Sequence, residues 1–434
     1  MLVCVPLIVV ILLALVLVTM TALEPGSPQK FSEAQGLFGI VRGTRMAVSD
    51  QGREYTVLAF MGIPFAKAPS GSLRFKKSKP LDKQLKGGVL RQALDCRFKR
   101  PPCPQRDFYL GRQNVKTDNA SEDCLHLNIW TPSFNCPDDS TDSPERCGTH
   151  TVLFFLYGAA FQNGGNSFEL YDGRYLSALG DLVVVVPNYR VGALGFLSGG
   201  PSGSEPLPGN AGLHDQRLAF AWTLHYIPHF GGNASRIVLA GHDAGASSIG
   251  YHLLSGDADF WTRHVTRFIL QSGGPYHRYG SNNLTEETEL ANRFRCPTDL
   301  SSEEALECLQ RVRGDRVARA LADASFVPVF RRPTAYRIPA KRGGTPKIVQ
   351  VYASPSKLAD VCFRAAGRFS PTQEVCPMME FIERLKGWQN LVYAYQLAIP
   401  AVVLELEKRD RRGRPLRGHG TGVWHATQAR RAGQ

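Results

Sequence analysis

One short stretch of the chain combines a strand, a tight glycine turn and a helix in the way that displays a reactive side chain. The apolar run Ile237–Ala240 leads into Gly241-His242-Asp243-Ala244-Gly245, and a helix is predicted from there through Leu254. Gly-x-x-x-Gly is the spacing of a nucleophile elbow, whose strained central residue stands above the carboxyl end of a sheet. The central residue is Asp243, and a carboxylate reacts by attacking carbon to form a covalent ester. The motif alone also fits an ordinary turn, so its meaning depends on the elements around it.

Those elements alternate between strands and helices. Strand patterns lie at Leu125–Trp130, Thr151–Leu156, Leu182–Val186 and Phe268–Gln271. The first alternates like a half-buried strand, whereas the next two are unbroken apolar runs, typical of parallel strands covered on both faces. Helices are predicted at Arg174–Leu179 and Asp215–Tyr226. This order predicts an open, doubly wound α/β sheet with its site at the carboxyl ends of the strands.

Composition and charge predict a globular body with a basic end. With 434 residues, 43% of them hydrophobic, the chain can bury one large α/β core or two ordinary ones. The net charge is +13. Residues 408–434 contribute more than half of it, because they contain eight basic side chains and only one acidic side chain, that of Asp410. We predict that 401–434 is a solvated, disordered tail. The alternative is that this tail contacts an acidic glycan, a membrane or a nucleic acid. As partners we expect no nucleic acid, and a membrane only if the N-terminal segment is retained.

The N-terminus, the cysteines and the sequons predict export. Met1–Ala22 is almost wholly apolar and has no charged side chain, as in a cleaved signal peptide or, alternatively, a retained signal anchor. Nine cysteines remain after Cys4, and Cys136 with Cys147 can close a polar surface loop. Asn-x-Ser/Thr sequons occur at Asn119, Asn233 and Asn283. We therefore expect a secreted glycoprotein or one on the extracellular face of the plasma membrane.

Several further segments identify a family by their order and spacing. They are Gly62-Ile63-Pro64-Phe65-Ala66, Leu73-Arg74-Phe75, Ser121 to Trp130, Asn188-Tyr189-Arg190-Val191-Gly192, Gly209-Asn210 to Asp215-Gln216-Arg217, Phe230-Gly231-Gly232 and Leu270-Gln271-Ser272-Gly273. With the elbow, they resemble the type B carboxylesterase and cholinesterase family. The resemblance implies an α/β-hydrolase fold over 23–400, with a central, mostly parallel twisted sheet flanked by helices and incomplete at the C-terminus.

The resemblance also implies a disulfide framework. Cys103–Cys124 would close the loop before the strand that ends at Trp130, and Cys296–Cys308 would close a small helical loop. Cys376 matches a family cysteine whose partner has no counterpart here, and Cys362 is the alternative partner. Cys96 has no assigned partner and is expected to be a buried free thiol.

Measured against the catalytic machinery of that family, the candidate site is degenerate. Asp243 stands where the resemblance implies a serine, and attack of a carboxylate on an ester would give an anhydride without a proton relay. The N–H groups of Ala159, Ala160 and Ala244 occupy the oxyanion-hole positions. Two of these alanines replace glycines, so the Cβ atoms disfavour positive φ angles, and we interpret the loop as one that binds nothing.

The acid and the base are also insecure. The family's acid should follow a strand, and the match is Lys347–Val351, after which Asp360 is the nearest carboxylate but comes two or three residues late. Gly422-Val423-Trp424-His425 is the match for the segment of the histidine base, so His425 is the candidate. The loop that holds the choline-binding tryptophan in cholinesterases has only Phe108 and Tyr109.

These observations favour a non-catalytic protein that binds another extracellular protein, as adhesion relatives with lost serines do. One alternative is residual ester hydrolysis. Another is covalent chemistry on Asp243 like that of epoxide hydrolases, since Gly-His-Asp-x-Gly also resembles their elbow. A third is a fragment or defective product, which poor secretion and rapid degradation would indicate. We expect no cofactor and no metal, and we expect apolar surface that is either exposed or buried against a partner, because the family's covering C-terminal helix has no counterpart here.

Overall fold

The computed structural model describes residues 32–36, 39–81, 93–110, 113–132, 150–199, 206–207, 209–255, 257–275, 284–320, 326–329, 347–352 and 392–396. Several sequence predictions fall outside these residues. They are the signal segment 1–22, the tail 401–434, Cys136, Cys147, Asn283, Asp360, Cys362, Cys376 and His425.

The described elements follow the predicted alternation. The strands are β1 Ser32–Gly36, β2 Gly39–Asp50, β3 Arg53–Pro64, β4 Leu94–Asp95, β5 Phe108–Leu110, β6 Gln113–Val115, β7 His126–Pro132, β8 His150–Leu156, β9 Leu182–Pro187, β10 Gly232–His242, β11 Val265–Gln271, β12 Lys347–Tyr352 and β13 Val392–Gln396. The helices are α1 Arg174–Gly180, α2 Gly192–Phe196, α3 Ala211–Tyr226, α4 Ala244–Leu254, α5 Ala258–His264, α6 Leu284–Arg293, α7 Glu303–Arg311 and α8 Gly314–Ala318.

One large mixed sheet organises the fold. Its strand order is β1-β2-β3-β7-β9-β8-β10-β11-β12-β13, with β4 paired to β2, while β5 and β6 form a separate hairpin. The strands from β9 to β13 along this order are parallel, and the pairs among β1, β2, β3, β7 and β9 are antiparallel. The parallel part brings the carboxyl ends of β8, β10 and β11 to one edge, as predicted.

The crossovers place helices on both faces of the sheet. From β8 to β9 the chain moves toward the N-terminal strands, whereas from β10 to β11 it moves the other way. Because such connections are right-handed, α1 and α4 must lie on opposite faces. The packing agrees, since Ile249 of α4 joins the core of Phe154 while Ala178 of α1 packs against that of Trp130. The prediction of an α/β-hydrolase fold is confirmed.

The prediction that β7 is half buried is wrong. All but the last of its residues are buried, because the polar residues of its alternating pattern face a buried network rather than water. Asn128 accepts from the Gly62 N–H at 2.8 Å and donates to the Asn166 carbonyl at 2.9 Å. Asn166 in turn donates to the carbonyls of His126 and Val186. Alternation alone cannot distinguish a hydrogen-bonded interior from solvent.

Both faces of β8 pack against a hydrophobic cluster, as predicted, but within the described residues one face is buried less completely than the other. Val152, Phe154 and Leu156 are buried, but Leu153 and Phe155, on the other face, are only half buried. β9, by contrast, is buried through Val183–Pro187. The described part of the molecule therefore covers one face of β8 more completely than the other.

A buried ion pair fixes the loop after β9 to α3. The Nε and Nη2 atoms of Arg190 donate to the two carboxylate oxygens of Asp215 at 2.8 and 2.7 Å, and the Arg190 N–H adds a third bond at 3.0 Å. The two side chains are 2% and 0% exposed. Gly192 then donates to the Phe161 carbonyl at 2.7 Å. The pair thus supports the loop that follows β8.

Two of the implied disulfides are confirmed. Cys103 is bonded to Cys124 and Cys296 to Cys308. Cys96 is a buried free thiol, and burial raises its pKa to about 12. In the described part of the chain, no helix is both long and apolar enough to cross a membrane.

Candidate functional site

The elbow has the strained geometry that its sequence predicts. Asp243 lies between the end of β10 and the start of α4 with φ 51° and ψ −117°. The flanking glycines are needed for close approach, since a Cβ on Gly245 would lie 2.0 Å from the Leu156 carbonyl oxygen and one on Gly241 would lie 2.5 Å from Gly245. A non-glycine residue with positive φ is held there only when its surroundings enforce it. Here the Asp243 N–H donates to the Gln271 carbonyl at 2.8 Å.

The loop after β8 binds the side chain of Asp243. Oδ2 of Asp243 accepts hydrogen bonds from the Ala159 N–H at 2.7 Å and the Ala160 N–H at 2.8 Å. Ala159, Ala160 and Phe161 all have positive φ, at 95°, 51° and 65°. Within the protein this loop therefore binds the Asp243 carboxylate, and the interpretation that it binds no ligand stays a prediction. The alanines tolerate the strained conformation because a carboxylate holds their N–H groups in place.

This contact fills the position that ester chemistry needs. An oxyanion hole works when its donors lie about 2.7–3.1 Å from the oxygen that becomes negative. In this chain the Ala159 and Ala160 N–H groups lie at these distances from Oδ2 of Asp243, so this carboxylate oxygen occupies the oxyanion position. Gly158 makes the approach feasible, since a Cβ there would lie 2.8 Å from the same Oδ2 atom. Ala244, the third predicted donor, is buried at the first position of α4.

The loop is anchored at its far end. Gln162 donates to the Phe326 carbonyl at 2.7 Å and accepts from the Phe326 N–H at 3.3 Å. On the other side, the rings of Tyr157 and Tyr189 stack at 4.4 Å, and the Tyr189 hydroxyl donates to the Tyr157 carbonyl at 2.6 Å. These contacts restrict the movement of the loop that carries the Ala159 and Ala160 N–H groups.

The phenols nearest the elbow are neutral. Burial and the negative charge of Asp243 raise the pKa of Tyr171 to about 12. Burial also raises the pKa of Tyr157 above its usual range. Neither phenol can therefore serve as a base at neutral pH. His425, the predicted base, and Asp360, the predicted acid, lie outside the described residues.

A buried histidine near the end of α4, His252, makes only structural contacts among the described residues. His252 Nε2 bonds Gln216 Oε1 at 2.9 Å, and Gln216 donates to Ser248 Oγ at 3.0 Å. The His252 ring stacks on Trp261 at 4.3 Å. Burial, followed by the nearby charges of His214 and Arg217, lowers the pKa of His252 to about 3. This imidazole is a neutral part of the core.

Acid should therefore destabilise the protein through His252. The pKa of His252 is about 3 in the folded protein and 6.5 in the free side chain. Between these pH values the unfolded state binds more protons than the folded state, so the free energy of unfolding decreases as the pH falls below 6.5. We expect a loss of about 1 kcal/mol in the free energy of unfolding between pH 6.5 and 5.5 from this group. Urea unfolding at the two pH values measures it, and His252→Gln should show a correspondingly smaller difference. Equal pH dependence of parent and variant would contradict the assignment.

Two cavities formed by described residues have no elbow residue in their linings. The larger, about 430 Å³, is a charged groove whose lining includes Arg74, Glu122 and Arg311. The smaller, about 20 Å³, lies beside Gln162 and Phe326. Neither lining includes Asp243. Among the described residues, no group of three or more His, Cys, Asp or Glu side chains is placed to hold a metal ion.

Two of the three predicted sequons can be located. Asn119 is exposed in a turn within the Cys103–Cys124 loop. Asn233 is half exposed at the start of β10, and its Oδ1 accepts from the N–H and the hydroxyl of Ser235 in the same sequon. The side chain of Asn119 is therefore more accessible for glycosylation than that of Asn233.

The fold and the elbow together define the class of this protein. A strained residue between close-packed glycines, at the carboxyl end of a central strand, is the nucleophile position of an α/β hydrolase. The Carboxylesterase family model matches residues 30–345. The chain belongs to the carboxylesterase family.

Its relatives include cholinesterases. The chain is 38% identical over 282 residues to the acetylcholinesterase of Electrophorus electricus, covering 63% of this chain and 41% of that protein. It is 35% identical over 289 residues to the cholinesterase of Mus musculus, covering 67% and 45%. For the acetylcholinesterase of Gallus gallus the figures are 36% over 332 residues, 73% and 40%. The matches thus span less than half the length of these relatives.

Proposed function

We propose that this chain is a non-catalytic member of the carboxylesterase family that acts outside the cell by binding another protein. The non-catalytic part of this proposal rests on the two hydrogen bonds that Asp243 accepts from the N–H groups of Ala159 and Ala160. A carboxylate replaces the alcohol that acyl transfer needs, and its own oxygen occupies the oxyanion position. A substrate carbonyl would have to displace a charge-assisted pair of hydrogen bonds to enter.

Exposed apolar surface supports the binding half. The large hydrophobic side chains most exposed in the described residues are Phe98, Leu170, Tyr175, Leu176 and Leu179, each at least half exposed. Lys99, next to Phe98, contacts Glu169 and Asp172 at 3.2 and 3.4 Å, so the five lie in one region around α1. Apolar patches with a charged rim are typical of protein interaction sites.

Export is supported by the sequence and the disulfides. The apolar segment 1–22 and the exposed Asn119 sequon fit a secretory route. The bonds Cys103–Cys124 and Cys296–Cys308 require an oxidising compartment to persist. We propose secretion or display on the extracellular face of the plasma membrane, with a second extracellular protein as the partner.

Assays with a set of p-nitrophenyl esters test whether the protein lacks catalytic activity. We expect the purified protein to show no turnover of p-nitrophenyl esters above the Asp243→Ala control. Asp243→Ser should gain little, because a nucleophile without a base and its acid retains only a small fraction of activity. Ester turnover by the parent protein that Asp243→Ala abolishes would overturn the proposal. Strong turnover by Asp243→Ser would show that a working histidine and acid exist elsewhere in the chain.

One observation favours a second candidate, covalent hydrolysis of an epoxide. A carboxylate oxygen of Asp243 would attack the epoxide carbon, the C–O bond would break, and the resulting alkoxide would take up a proton. Water, losing a proton to a base, would then add to Cγ of this ester, and the oxyanion formed would be Asp243's own oxygen. Collapse of this intermediate would break the bond from Cγ to the alkyl oxygen, which takes up a proton, so the diol leaves and the carboxylate is restored. Oδ2 already lies against two N–H donors suited to that step. The step also needs a base, and the predicted one, His425, lies outside the described residues.

Labelled water separates the two candidates. In water enriched in ¹⁸O, hydrolysis through an ester on Asp243 leaves labelled oxygen in that side chain, which peptide mass spectrometry detects. We expect an intact epoxide and an unlabelled Asp243 after long incubation. Label in Asp243 together with diol product would establish the covalent reaction and refute the non-catalytic assignment.

A further inference from the structure

A charged groove separates the Cys103–Cys124 loop from the segment that joins α7 to α8. Its volume is about 430 Å³. Small-molecule sites in proteins typically have volumes of about 300–1,000 Å³. One wall is the part of the loop that contains Thr117 and Glu122, and the other wall contains residues 311–315 and Arg319. The groove is therefore large enough to hold a small organic ligand such as a sugar.

The floor of the groove is held by a buried ion pair. The Nε and Nη2 atoms of Arg74 donate to the two carboxylate oxygens of Glu122, each at 2.6 Å, and Nη1 donates to the Gln310 carbonyl at 2.7 Å. Arg74 is 5% exposed. Gly314, at the start of α8, packs on the same carboxylate, since a Cβ on this glycine would lie 2.6 Å from Glu122 Oε2. These contacts join the loop to α7 and α8 and fix the distance between the two walls.

Above this floor, the walls carry both hydrogen-bond donors and acceptors. Arg319 donates to Asp118 Oδ1 at 3.4 Å across the groove, and Arg313 pairs with Asp315 at 3.0 Å. Arg311 is a third exposed guanidinium in the lining. Counted with the ion pair of the floor, the lining has four basic and three acidic side chains. A nearly neutral set of charged donors and acceptors matches a neutral ligand rich in hydroxyl groups better than it matches an ion.

The predicted glycosylation site Asn119 lies at the edge of this groove. Its neighbours on both sides, Asp118 and Ala120, line the groove, and Asn119 itself is exposed. The turn that contains it is closed by a hydrogen bond from the Ala120 N–H to the Thr117 carbonyl at 3.0 Å. Nη2 of Arg319, from the opposite wall, donates to the same carbonyl at 3.2 Å. A glycan attached to Asn119 would therefore begin beside the groove.

We propose that this groove binds the first sugars of an N-linked glycan on Asn119. N-linked glycans begin with N-acetylglucosamine, a neutral sugar whose hydroxyl and amide groups donate and accept hydrogen bonds. The covalent link keeps these sugars at a local concentration on the order of millimolar, so weak hydrogen bonds suffice for binding. The bound glycan would join the Cys103–Cys124 loop to α8 and restrict the movement of both. The inference rests on the export proposed above, because this modification occurs on the secretory route.

The modification itself is a group transfer from a lipid-linked pyrophosphate donor. Nδ2 of Asn119 forms a bond to C1 of the first sugar and loses a proton. The bond from C1 to the pyrophosphate oxygen breaks, and the lipid pyrophosphate leaves with the electron pair of that bond. Ser121 supplies the hydroxyl that the Asn-x-Ser sequon requires.

Deglycosylation of the native, full-length protein is the first test. The protein is secreted from eukaryotic cells treated with a mannosidase inhibitor, so that endoglycosidase H can cut between the first two sugars. Mass spectrometry of the Asn119 peptide follows the reaction. We expect Arg311→Ala with Arg313→Ala to raise the cutting rate at Asn119 at least about tenfold, because the glycan loses its contacts and becomes exposed. The control pair Arg236→Ala with Arg293→Ala, two exposed arginines outside the groove, should leave the rate unchanged.

Two results of this experiment would overturn the inference. One is an Asn119 side chain without a glycan in the secreted protein, and the other is the same cutting rate in the parent and in the groove variant. Either result leaves the proposed export standing. A chain that is retained inside the cell would instead contradict the export, and the inference with it.

Thermal unfolding of the secreted protein is the second test. Asn119→Gln removes the glycan and should lower the Tm by about 2–4 °C. In the background of Arg311→Ala with Arg313→Ala, the same substitution should change the Tm by less than about 1 °C, because the glycan has already lost its contacts with the groove. Equal shifts in the two backgrounds would mean that the glycan acts without the groove, which contradicts the inference.

Discussion

Replacing Asp215 by alanine is expected to lower the free energy of unfolding by about 3–5 kcal/mol. The change would leave the Arg190 guanidinium, 2% exposed, without the carboxylate that receives three hydrogen bonds. An uncompensated buried charge costs far more than the net contribution of the pair. The backbone would move as well, since Gly195 and Gly212 pack directly against the Arg190 carbonyl. Urea denaturation of parent and variant measures the difference.

Two controls separate this cost from a general effect of removing acids. Asp315→Ala removes a carboxylate from the exposed pair with Arg313, at 3.0 Å, and should change stability by less than about 1 kcal/mol. Arg190→Met combined with Asp215→Leu removes both buried charges and should recover most of the loss. If Asp215→Ala behaved like Asp315→Ala, the pair would not support the fold as described.

Replacing Asp243 by alanine is expected to destabilise the protein by about 2 kcal/mol, although in active enzymes a catalytic residue often costs stability. The parent carboxylate accepts two charge-assisted hydrogen bonds from a loop whose residues Ala159, Ala160 and Phe161 all have positive φ. Without that acceptor, two N–H groups in a strained loop lose their partner. Thermal and urea unfolding of the purified variant test the value.

Asparagine at position 243 is the matched comparison. Asp243→Asn keeps an oxygen acceptor of the same reach but loses the charge, so we expect a loss of about 1 kcal/mol, between parent and alanine variant. An alanine variant as stable as the parent would show that the two hydrogen bonds contribute nothing to the loop.

Much of the fold could be predicted from local pattern. The unbroken runs at β8 and β9 and the strand, turn and helix around Asp243 lie where their patterns indicate, because parallel strands and glycine turns have strong local signatures. The family resemblance added the disulfides Cys103–Cys124 and Cys296–Cys308. Their pairing depends on three-dimensional proximity that spacing alone does not define.

The interior environment was harder to predict than the elements. The alternation in β7 indicates one wet face, but Asn128 and its partners form a buried hydrogen-bonded network. The same limit applies to the elbow. Asp243 and the loop at Ala159 were each identified as altered, yet 84 residues separate them and only the fold brings donor and acceptor to 2.7 Å. From the sequence, Asp243 and the two alanines were interpreted separately as degenerate, whereas in the structure they form one hydrogen-bonded unit.

The amide resonances of Ala159 and Ala160 test the central claim most directly. In protein labelled with ¹⁵N-alanine, we expect both amide protons to resonate downfield, as donors to a carboxylate do, and both to move upfield together in Asp243→Ala. Other alanines, such as Ala219 in the middle of α3, should remain in place. If the resonances of Ala159 and Ala160 are the same in parent and variant, Asp243 does not occupy the oxyanion position, and the explanation for a non-catalytic site fails.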